Sequence, residues 1–564
     1  MGLIKISVGA DDDVVGKPVT ANPGRALALQ RANNPLPWRI GALTAGALES
    51  VGEALMAACR HPKRLSEDAL AGAFLIQATL VTGRPLTDLV ALGVYDKDPM
   101  TLSPSDSIGI YRGSKNWAWV LQPGTPTSAQ HLTVREQSNY RSTEMAMLLW
   151  CGDRTKTLLE LALERKCLRL GSDGDGWKLL PAIGQWSQSV IKRLTSAFLQ
   201  TLPSAERVVL TPKRIESWLF QSVVNQAGDV ALASILTGAT GTISNATLHY
   251  TWISRKQAFE LHYAHIAAHE RLSDLSGNPN GGELDLHIPR ISKLQHHERV
   301  GHGSRFVPKT GVVRRLSGVF SSSLQSPPGN VRTISDLISF HNAYTLHSVA
   351  LIGFAAGLRS VTNPIPNRHS IDRFSQFVIL NDKGDTDPLR DRLAWLPDCA
   401  LAQVIDYERH MAQLPREMEM MGLSAIFDSG QLKTTRSDRQ AVVLLDPERG
   451  ILQAPVKEIA AAFRKRGFPI RMNAWRHYFR TELVQKLPAE VLHAFLGHWQ
   501  RGQEPWSGYS ALDPQAYLRA LKGPLEELLA RDGWQAVKGL GSLSSLTLPD
   551  VTCASLTTSR VSPS

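Results

Sequence analysis

The chain has 564 residues, of which 43% are hydrophobic and 20% are charged, a composition typical of globular proteins. The length predicts two to four domains with sizeable cores. Lysine and arginine number 62 against 51 acidic residues, so the net charge of +11 allows a polyanionic partner such as nucleic acid without requiring one.

The five cysteines have no CxxC spacing, so the sequence indicates neither a disulfide framework nor a zinc knuckle. The first residues have too short an apolar run and too many acids for a signal peptide. No run of about 18 apolar residues that could span a bilayer is present. We therefore expect a cytoplasmic protein without a membrane span.

The first half of the chain divides into three predicted parts. Residues 1–34 lack clear periodicity and are predicted to form a loose arm. Residues 35–272 have mostly helical spacing, with predicted strands in the middle. Residues 273–332 are rich in Gly, Pro and Ser and lack helical spacing, which predicts a linker. Its basic residues, including Arg314 and Arg315, either keep a tether soluble or contact a phosphate backbone.

Residues 333–540 form a second structured block, followed by a Ser/Thr-rich segment, 541–564, that is predicted to be disordered. The stretch SQFVILNDKGD predicts a strand that enters a turn. Apolar spacing predicts helices in ISDLISFHNAYTLHSVALIGFAAGL, DCALAQVIDYERHMAQL, VKEIAAAFRKRG, NAWRHYFRTELVQKL and PAEVLHAFLGH. The predicted fold is mainly α with small β-sheets, of the α+β class.

Five polar residues follow one another in this block in a suggestive order. Arg359 follows an apolar helix in FAAGLRSVT, Lys383 lies in the turn of VILNDKGD, and Arg476 opens RHYFRTEL. His498 ends a predicted helix in FLGH, and Tyr509 follows soon after. This order resembles the catalytic domain of the tyrosine recombinase (phage integrase) family, with its Gly-Leu-Arg box, hairpin lysine, His-x-x-Arg box, Leu-Gly-His box and tyrosine. The resemblance covers about residues 333–540.

The resemblance implies a site-specific recombinase of a mobile element, and the chemistry of the reaction suits these residue types. Two guanidiniums, of Arg359 and Arg476, hold the non-bridging oxygens of the scissile phosphate with forked, permanently charged donors. Tyr509 attacks the phosphorus and forms a covalent 3′-phosphotyrosine. The family gives Lys383 the protonation of the leaving 5′-oxygen, while His498 acts in acid–base catalysis or holds the phosphate. No metal or nucleotide cofactor is expected.

One position departs from the family pattern and leaves alternatives open. Asn473 stands where the His-x-x-Arg box has histidine, and an amide cannot shuttle a proton near neutral pH. The spacing from His498 to Tyr509 is also longer than is usual in the family. A recombinase-fold DNA-binding regulator with little or no strand-transfer activity is therefore the alternative. A type IB topoisomerase-like nicking enzyme is a third hypothesis.

Two segments of the first half resemble segments of the second at a constant offset of 260 residues, which suggests an internal duplication. The alternative is a chance similarity between two helical domains. The copy lacks the lysine, the second arginine and the histidine, so we expect a non-catalytic DNA-binding or assembly domain. The predicted counterparts are Arg84 for Arg359, Pro123 for Lys383, Glu216 for Arg476, Gly238 for His498 and, one residue late, Tyr250 for Tyr509.

The predicted partners are double-stranded DNA and further copies of the chain assembled on it. Two more stretches, one basic and one rich in histidine, are considered as binding sites. The stretch FRKRGFPIR is expected to be partly solvated surface and partly phosphate contact, through Arg464, Lys465, Arg466 and Arg471. The stretch HHERVGHG (His296, His297, His302) has no cysteine beside it and is expected to face solvent rather than bind a metal.

Overall fold

A computed structural model describes residues 42–96, 108–112, 117–124, 132–173, 176–207, 210–239, 245–275, 300–324, 333–360, 363–372, 374–381, 391–423, 439–453, 455–499, 505–506 and 510–541. The predicted arm lies outside these residues, as does the predicted disordered tail except for Gly541. Lys383 and Tyr509 also lie outside them.

Helices form most of the described structure, and the strands are short. The helices are α1 Ala45–Arg60, α2 Glu67–Thr82, α3 Val134–Gln137, α4 Asp153–Glu164, α5 Gln188–Leu199, α6 Ser204–Arg207, α7 Pro212–Ala227, α8 Val230–Thr237, α9 Asn245–Tyr250, α10 Arg255–Leu275, α11 Thr310–Leu324, α12 Ile334–Ala356, α13 Asp398–Met420, α14 Val456–Lys465, α15 Ala474–Leu483, α16 Ala489–Leu496 and α17 Pro514–Arg531. The predicted mixed fold, mainly helical with small sheets, is confirmed.

The strands form one six-stranded sheet, one three-stranded sheet and two hairpins. The strands are β1 Gly93–Tyr95, β2 Gly109–Arg112, β3 Trp117–Leu121, β4 Ser142–Thr143, β5 Met147–Trp150, β6 Leu168–Asp173, β7 Gly176–Pro181, β8 Trp252–Ser254, β9 Val300–Gly303, β10 Phe377–Leu380, β11 Arg392–Trp395, β12 Val443–Asp446 and β13 Gly450–Gln453. The large sheet has the order β5-β3-β2-β1-β7-β6, with β1 and β2 parallel and its other neighbours antiparallel. The small sheet has the order β4-β9-β8, and the hairpins are β10–β11 and β12–β13.

The second half is built around helix α12, which is buried along most of its length. It begins at a capping box, in which Thr333 accepts from the backbone of Asp336 and the Asp336 carboxylate accepts from the backbone of Thr333. Helices α11, α13 and α15 pack against it. An apolar helix surrounded in this way is buried on all sides, which explains its nearly continuous apolar sequence.

The segment predicted to be an irregular linker contains regular structure, which corrects that prediction. Strand β9 and helix α11 lie within it, and Arg314 and Arg315 belong to α11. Val312, Leu316 and Phe320 place one apolar stripe of α11 toward the core. The prediction failed because the Gly and Ser residues that lie between these positions dominate the composition of the segment.

The two halves present their main elements in the same order. Each has two helices, an antiparallel strand pair, a helix, a hairpin and then three helices. In the first half these elements are α1, α2, β3/β5, α4, β6/β7, α5, α7 and α8. In the second half they are α11, α12, β10/β11, α13, β12/β13, α14, α15 and α16. Helices α8 and α16 both end in a left-handed glycine, Gly238 and Gly497. By this register Ala239, and not Gly238, takes the position of His498.

The halves share one continuous core among the described residues. An ion pair between Asp229 at the start of α8 and Arg480 on α15 is buried in this contact, and both side chains are at most 1% exposed. The guanidinium also donates to the Thr251 hydroxyl, with Nε at 3.1 Å. Helix α9 and strand β8 of the first half therefore lie directly on α15, the helix that carries Arg476.

Candidate functional site

The carboxyl ends of helices α12 and α16 meet in the second half. Each helix ends in a left-handed glycine, Gly357 with φ of 53° and Gly497 with φ of 66°. A β-carbon at Gly357 would lie 3.0 Å from Leu496 Cδ2, so the helix ends approach each other closely. These caps end the helices immediately before two predicted site residues, Arg359 and His498.

Arg476 joins the two helix ends. Its neighbour Trp475 packs on Gly353 of α12 and donates from its indole nitrogen to the Leu358 carbonyl at 2.7 Å. Arg476 is therefore held at the end of α12, where Nη1 donates to the Gly357 carbonyl at 2.9 Å and Nη2 donates to the Leu496 carbonyl. The terminal carbonyls of a helix carry partial negative charge and stabilise a cation there.

A second buried guanidinium, which the sequence analysis missed, donates to the same two helix ends and shares the Gly357 carbonyl with Arg476. Arg392 of β11 donates to the Phe495 carbonyl at 2.7 Å and to the Gly357 carbonyl at 3.4 Å. It is 2% exposed. No local pattern distinguishes it from an ordinary strand arginine, because its partners lie far away in the sequence.

His498 lies beside Arg476 as a neutral imidazole. Its Nε2 is 3.2 Å from Arg476 Nη2, and because a guanidinium only donates, Nε2 accepts and Nδ1 carries the proton. Burial holds the pKa of His498 well below its usual value, and the nearby guanidiniums of Arg476, Arg480 and Arg359 lower it further. Nδ1 is buried and has no hydrogen-bond partner among the described residues, so it offers one donor to an incoming oxygen.

The structure brings three of the six predicted catalytic residues together. Arg359 follows the cap of α12, is half-buried, and is near enough to His498 to affect its pKa. Arg476 and His498 are in contact. Asn473 is the N-cap residue of α15, but its side chain does not cap the helix, and the Asn473 carbonyl accepts from the Arg476 backbone at 3.0 Å.

A tyrosine of the first half covers this group. The ring of Tyr250 stacks on the ring of His498, with centroids 5.3 Å apart and an interplanar angle of 14°. The guanidinium carbon of Arg476 is 5.2 Å from the Tyr250 ring centroid, within the range of a cation–π contact. Tyr250 entered the sequence analysis only as a counterpart of Tyr509, and this contact was not predicted.

His477, the residue after Arg476, has a structural environment. Its Nδ1 lies 2.6 Å from the Ser304 hydroxyl, and the rings of His249 and Tyr250 pack against it at 4.9 and 4.5 Å. Burial holds the pKa of His477 well below its usual value. His477 therefore links the two halves. It does not substitute for the histidine of the His-x-x-Arg box, whose position is occupied by Asn473.

In the first half, an arginine fills the space that corresponds to the site of Arg476 and His498. Arg84 follows the left-handed cap Gly83 of α2 and donates to the Gln122 carbonyl. A β-carbon at Gly238 would lie 1.7 Å from Arg84 Nη1, so the guanidinium fills the space beside the end of α8. Burial lowers the pKa of Arg84 to about 10.

The predicted DNA-binding residues divide into exposed and packed groups. Arg464 and Lys465 are exposed in the last turn of α14, and Arg314 is exposed on α11, 4.0 Å from Asp532. Arg315 is also exposed, with its guanidinium 5.6 Å over Phe468, whereas Arg466 is half-buried and Arg471, also half-buried, lies 4.4 Å over Phe306.

His302 is fully buried on β9, which corrects its predicted exposure to solvent. Burial lowers its pKa to about 4. His296 and His297 lie outside the described residues. Within the described part of the chain, no group of three or more His, Cys, Asp or Glu side chains is arranged to hold a metal ion.

Comparison with models of protein families, with curated proteins and with solved structures finds no match for this chain. Among the described helices, none combines the length and hydrophobicity that a membrane crossing requires. The geometry of the site is therefore the basis for assigning a function.

Proposed function

We propose that residues 333–540 are the catalytic part of a site-specific DNA recombinase or integrase of the tyrosine type. The observation that carries this proposal is the meeting of Arg359, Arg476 and His498, three residues far apart in sequence, at the joined ends of α12 and α16. Two guanidiniums beside a neutral imidazole donor match the charge and the hydrogen-bonding needs of a phosphodiester.

The proposed reaction keeps the phosphate bond energy in a protein–DNA link. The Tyr509 hydroxyl loses its proton to water as its oxygen attacks the phosphorus, a Tyr–O–P bond forms, and the bond from phosphorus to the 5′-oxygen breaks. Lys383 gives a proton to the leaving oxygen, while Arg359 and Arg476 stabilise the charge of the transition state. His498 Nδ1–H donates to a non-bridging oxygen, because the neutral ring has this one donor free among the described residues. The same steps in the opposite direction rejoin the DNA strand.

We infer that the first half is a degenerate copy of the second. The shared order of elements supports this, as does the spacing of the tyrosines: Tyr250 comes twelve residues after Gly238, and Tyr509 comes twelve residues after Gly497. This half lacks the lysine, the second arginine and the histidine, and Arg84 fills the space beside the end of α8, so we expect it to bind DNA or assemble the complex without cleaving.

An adduct assay tests the proposal. A duplex is selected for binding from a random-sequence pool, nicked within its site to trap the covalent intermediate, and incubated with the full chain. Wild type is expected to form a denaturant-resistant adduct, and Tyr509→Phe to form none. The control is Tyr111→Phe on β2, a half-buried tyrosine in a small apolar cluster of its own, which should react as wild type does.

A second candidate function is DNA binding without strand transfer. It is favoured by the fully buried state of Arg476, whose two terminal nitrogens both donate to helix-end carbonyls. In that case the arginine stabilises the fold and a phosphate does not reach it. Tight binding of the selected duplex with no adduct from any nicked form would support the regulator and reject the enzyme.

A further inference from the structure

We infer that the pocket of the second half is completed by the first half, through Tyr250, which acts as a positioning residue for Arg476 and His498. The effect of Tyr250 on catalysis rests on the proposed function. Its position over Arg476 and His498 does not depend on that function. The ring of Tyr250 makes two contacts with the predicted site residues, a stack on His498 and a cation–π contact with Arg476, in addition to its packing on His477.

The ring of Tyr250 fixes the orientation of both side chains. His498 has one ring nitrogen toward Arg476 and the other without a partner in the described residues, so tilting of the imidazole plane about the Cβ–Cγ bond would move Nε2 away from Arg476 and redirect Nδ1. A flat ring stacked at 14° favours the plane of the imidazole that keeps Nε2 against Arg476 Nη2. The guanidinium carbon of Arg476 lies over the same ring, where the cation–π attraction favours its position.

The hydroxyl of Tyr250 takes no part in these contacts. Tyr250 is half-buried, and its hydroxyl has no hydrogen-bond partner among the described residues. Replacing tyrosine by phenylalanine should therefore preserve the positioning, whereas replacing it by an aliphatic residue should not.

The backbone next to Tyr250 is held on the second half. Thr251 accepts from Arg480 Nε at 3.1 Å, and the same guanidinium pairs with the buried carboxylate of Asp229. His249, the residue before Tyr250, contacts His477 and Phe306. The ring is thus placed by contacts that link the halves on both sides of it, and the second half by itself lacks this part of the pocket.

The adduct assay measures the catalytic consequence, in the full chain. Tyr250→Phe should form adduct within about twofold of wild type, and Tyr250→Leu about tenfold more slowly. The matched control, Tyr111→Leu, removes a half-buried tyrosine ring that lies in a separate small cluster with Val120 and Leu148, and should react as wild type does. Tyr250→Met provides a second variant without the ring, in case Tyr250→Leu does not fold.

Two results would overturn the inference. Equal or faster reaction of the variants without the ring would mean that Tyr250 covers the pocket and does not position it. Loss of reaction in Tyr250→Phe would mean that the hydroxyl itself acts. A wild type that forms no adduct rejects the proposed function, and the inference is then decided by labelling.

Labelling of histidines by diethyl pyrocarbonate, mapped by mass spectrometry, needs no enzymatic activity. His498 is 7% exposed beneath Tyr250, so it should react slowly in wild type and in Tyr250→Phe. It should react at least several-fold faster in Tyr250→Leu, while His341, which is fully buried, stays protected in all three. Equal labelling of His498 in the three proteins would refute the placement of the ring.

Discussion

At the scale of single residues, Asp229 has two tasks that no local sequence pattern shows. Its Oδ1 caps helix α8 by accepting from the backbone of Ala231 and Leu232 at 2.8 and 3.2 Å. Its Oδ2 pairs with Arg480 across the contact between the halves. A buried charge left without its partner is costly, so this one carboxylate supports both a helix start and the placement of α15.

Asp229→Ala should therefore lower the free energy of unfolding by about 3–5 kcal/mol, because Arg480 remains buried without its counter-charge. Asp96→Ala is the control, since the pair of Asp96 with Arg112 is exposed and is expected to contribute less than about 1 kcal/mol. Urea unfolding of both variants measures the difference. Equal losses in the two variants would contradict the buried ion pair.

At the scale of elements, the helices with a clean apolar period were predictable and those with mixed composition were not. The predictions for α12, α13 and α14 to α16 agree with the structure, because each has an apolar stripe of helical spacing. Helix α11 was missed because its stripe is diluted by Gly and Ser. Apolar spacing in the sequence is enough to predict a helix only when packing against the rest of the protein is not needed to define it.

Substitutions on the two faces of α11 test this correction. Phe320 is fully buried against Phe463 and Phe468, with centroid distances of 5.9 and 6.5 Å, so Phe320→Ala should cost about 3–5 kcal/mol of unfolding free energy. The adjacent Val319 is 41% exposed, and Val319→Ala should cost less than about 1 kcal/mol. A flexible linker would instead tolerate both substitutions equally.

At the scale of the whole molecule, the contacts that bring the site together are long-range, and a single sequence does not reveal them. Arg359, Arg476 and His498 were found because their order resembles a family. Arg392, Arg480 and Tyr250 were missed because each acts through partners more than 30 residues away. The Tyr250 contact crosses the two halves, and no periodicity or spacing within either half predicts it.

Buried histidines make the stability of the whole molecule depend on pH. Burial lowers the pKa of seven of them to about 3 or 4, below their usual 6.5: His262, His265, His269, His302, His341, His347 and His493. The unfolded chain binds protons at these groups below pH 6.5 and the folded chain does not, so acid favours unfolding.

The free energy of unfolding should change little from pH 8 to 7 and fall steeply between about pH 6 and 5, where each such histidine contributes about 1.4 kcal/mol per pH unit. His341→Gln should reduce this slope by about that amount, although it also lowers stability at every pH. His369→Gln, at an exposed position, should leave the slope unchanged. Urea unfolding at each pH provides the measurement, and a flat profile would contradict the burial of these rings.

The most direct test of the proposed function is to identify the residue that becomes linked to DNA. The adduct formed on the nicked duplex is digested with nuclease and protease, and the modified peptide is mapped by mass spectrometry. In wild type we expect a nucleotide 3′-phosphate on Tyr509. In Arg359→Ala we expect no modified residue, because one of the two phosphate-binding cations is absent. A phosphate on any other residue, or tight binding without an adduct, would contradict the proposal that the pocket of Arg359, Arg476 and His498 supports strand transfer through Tyr509.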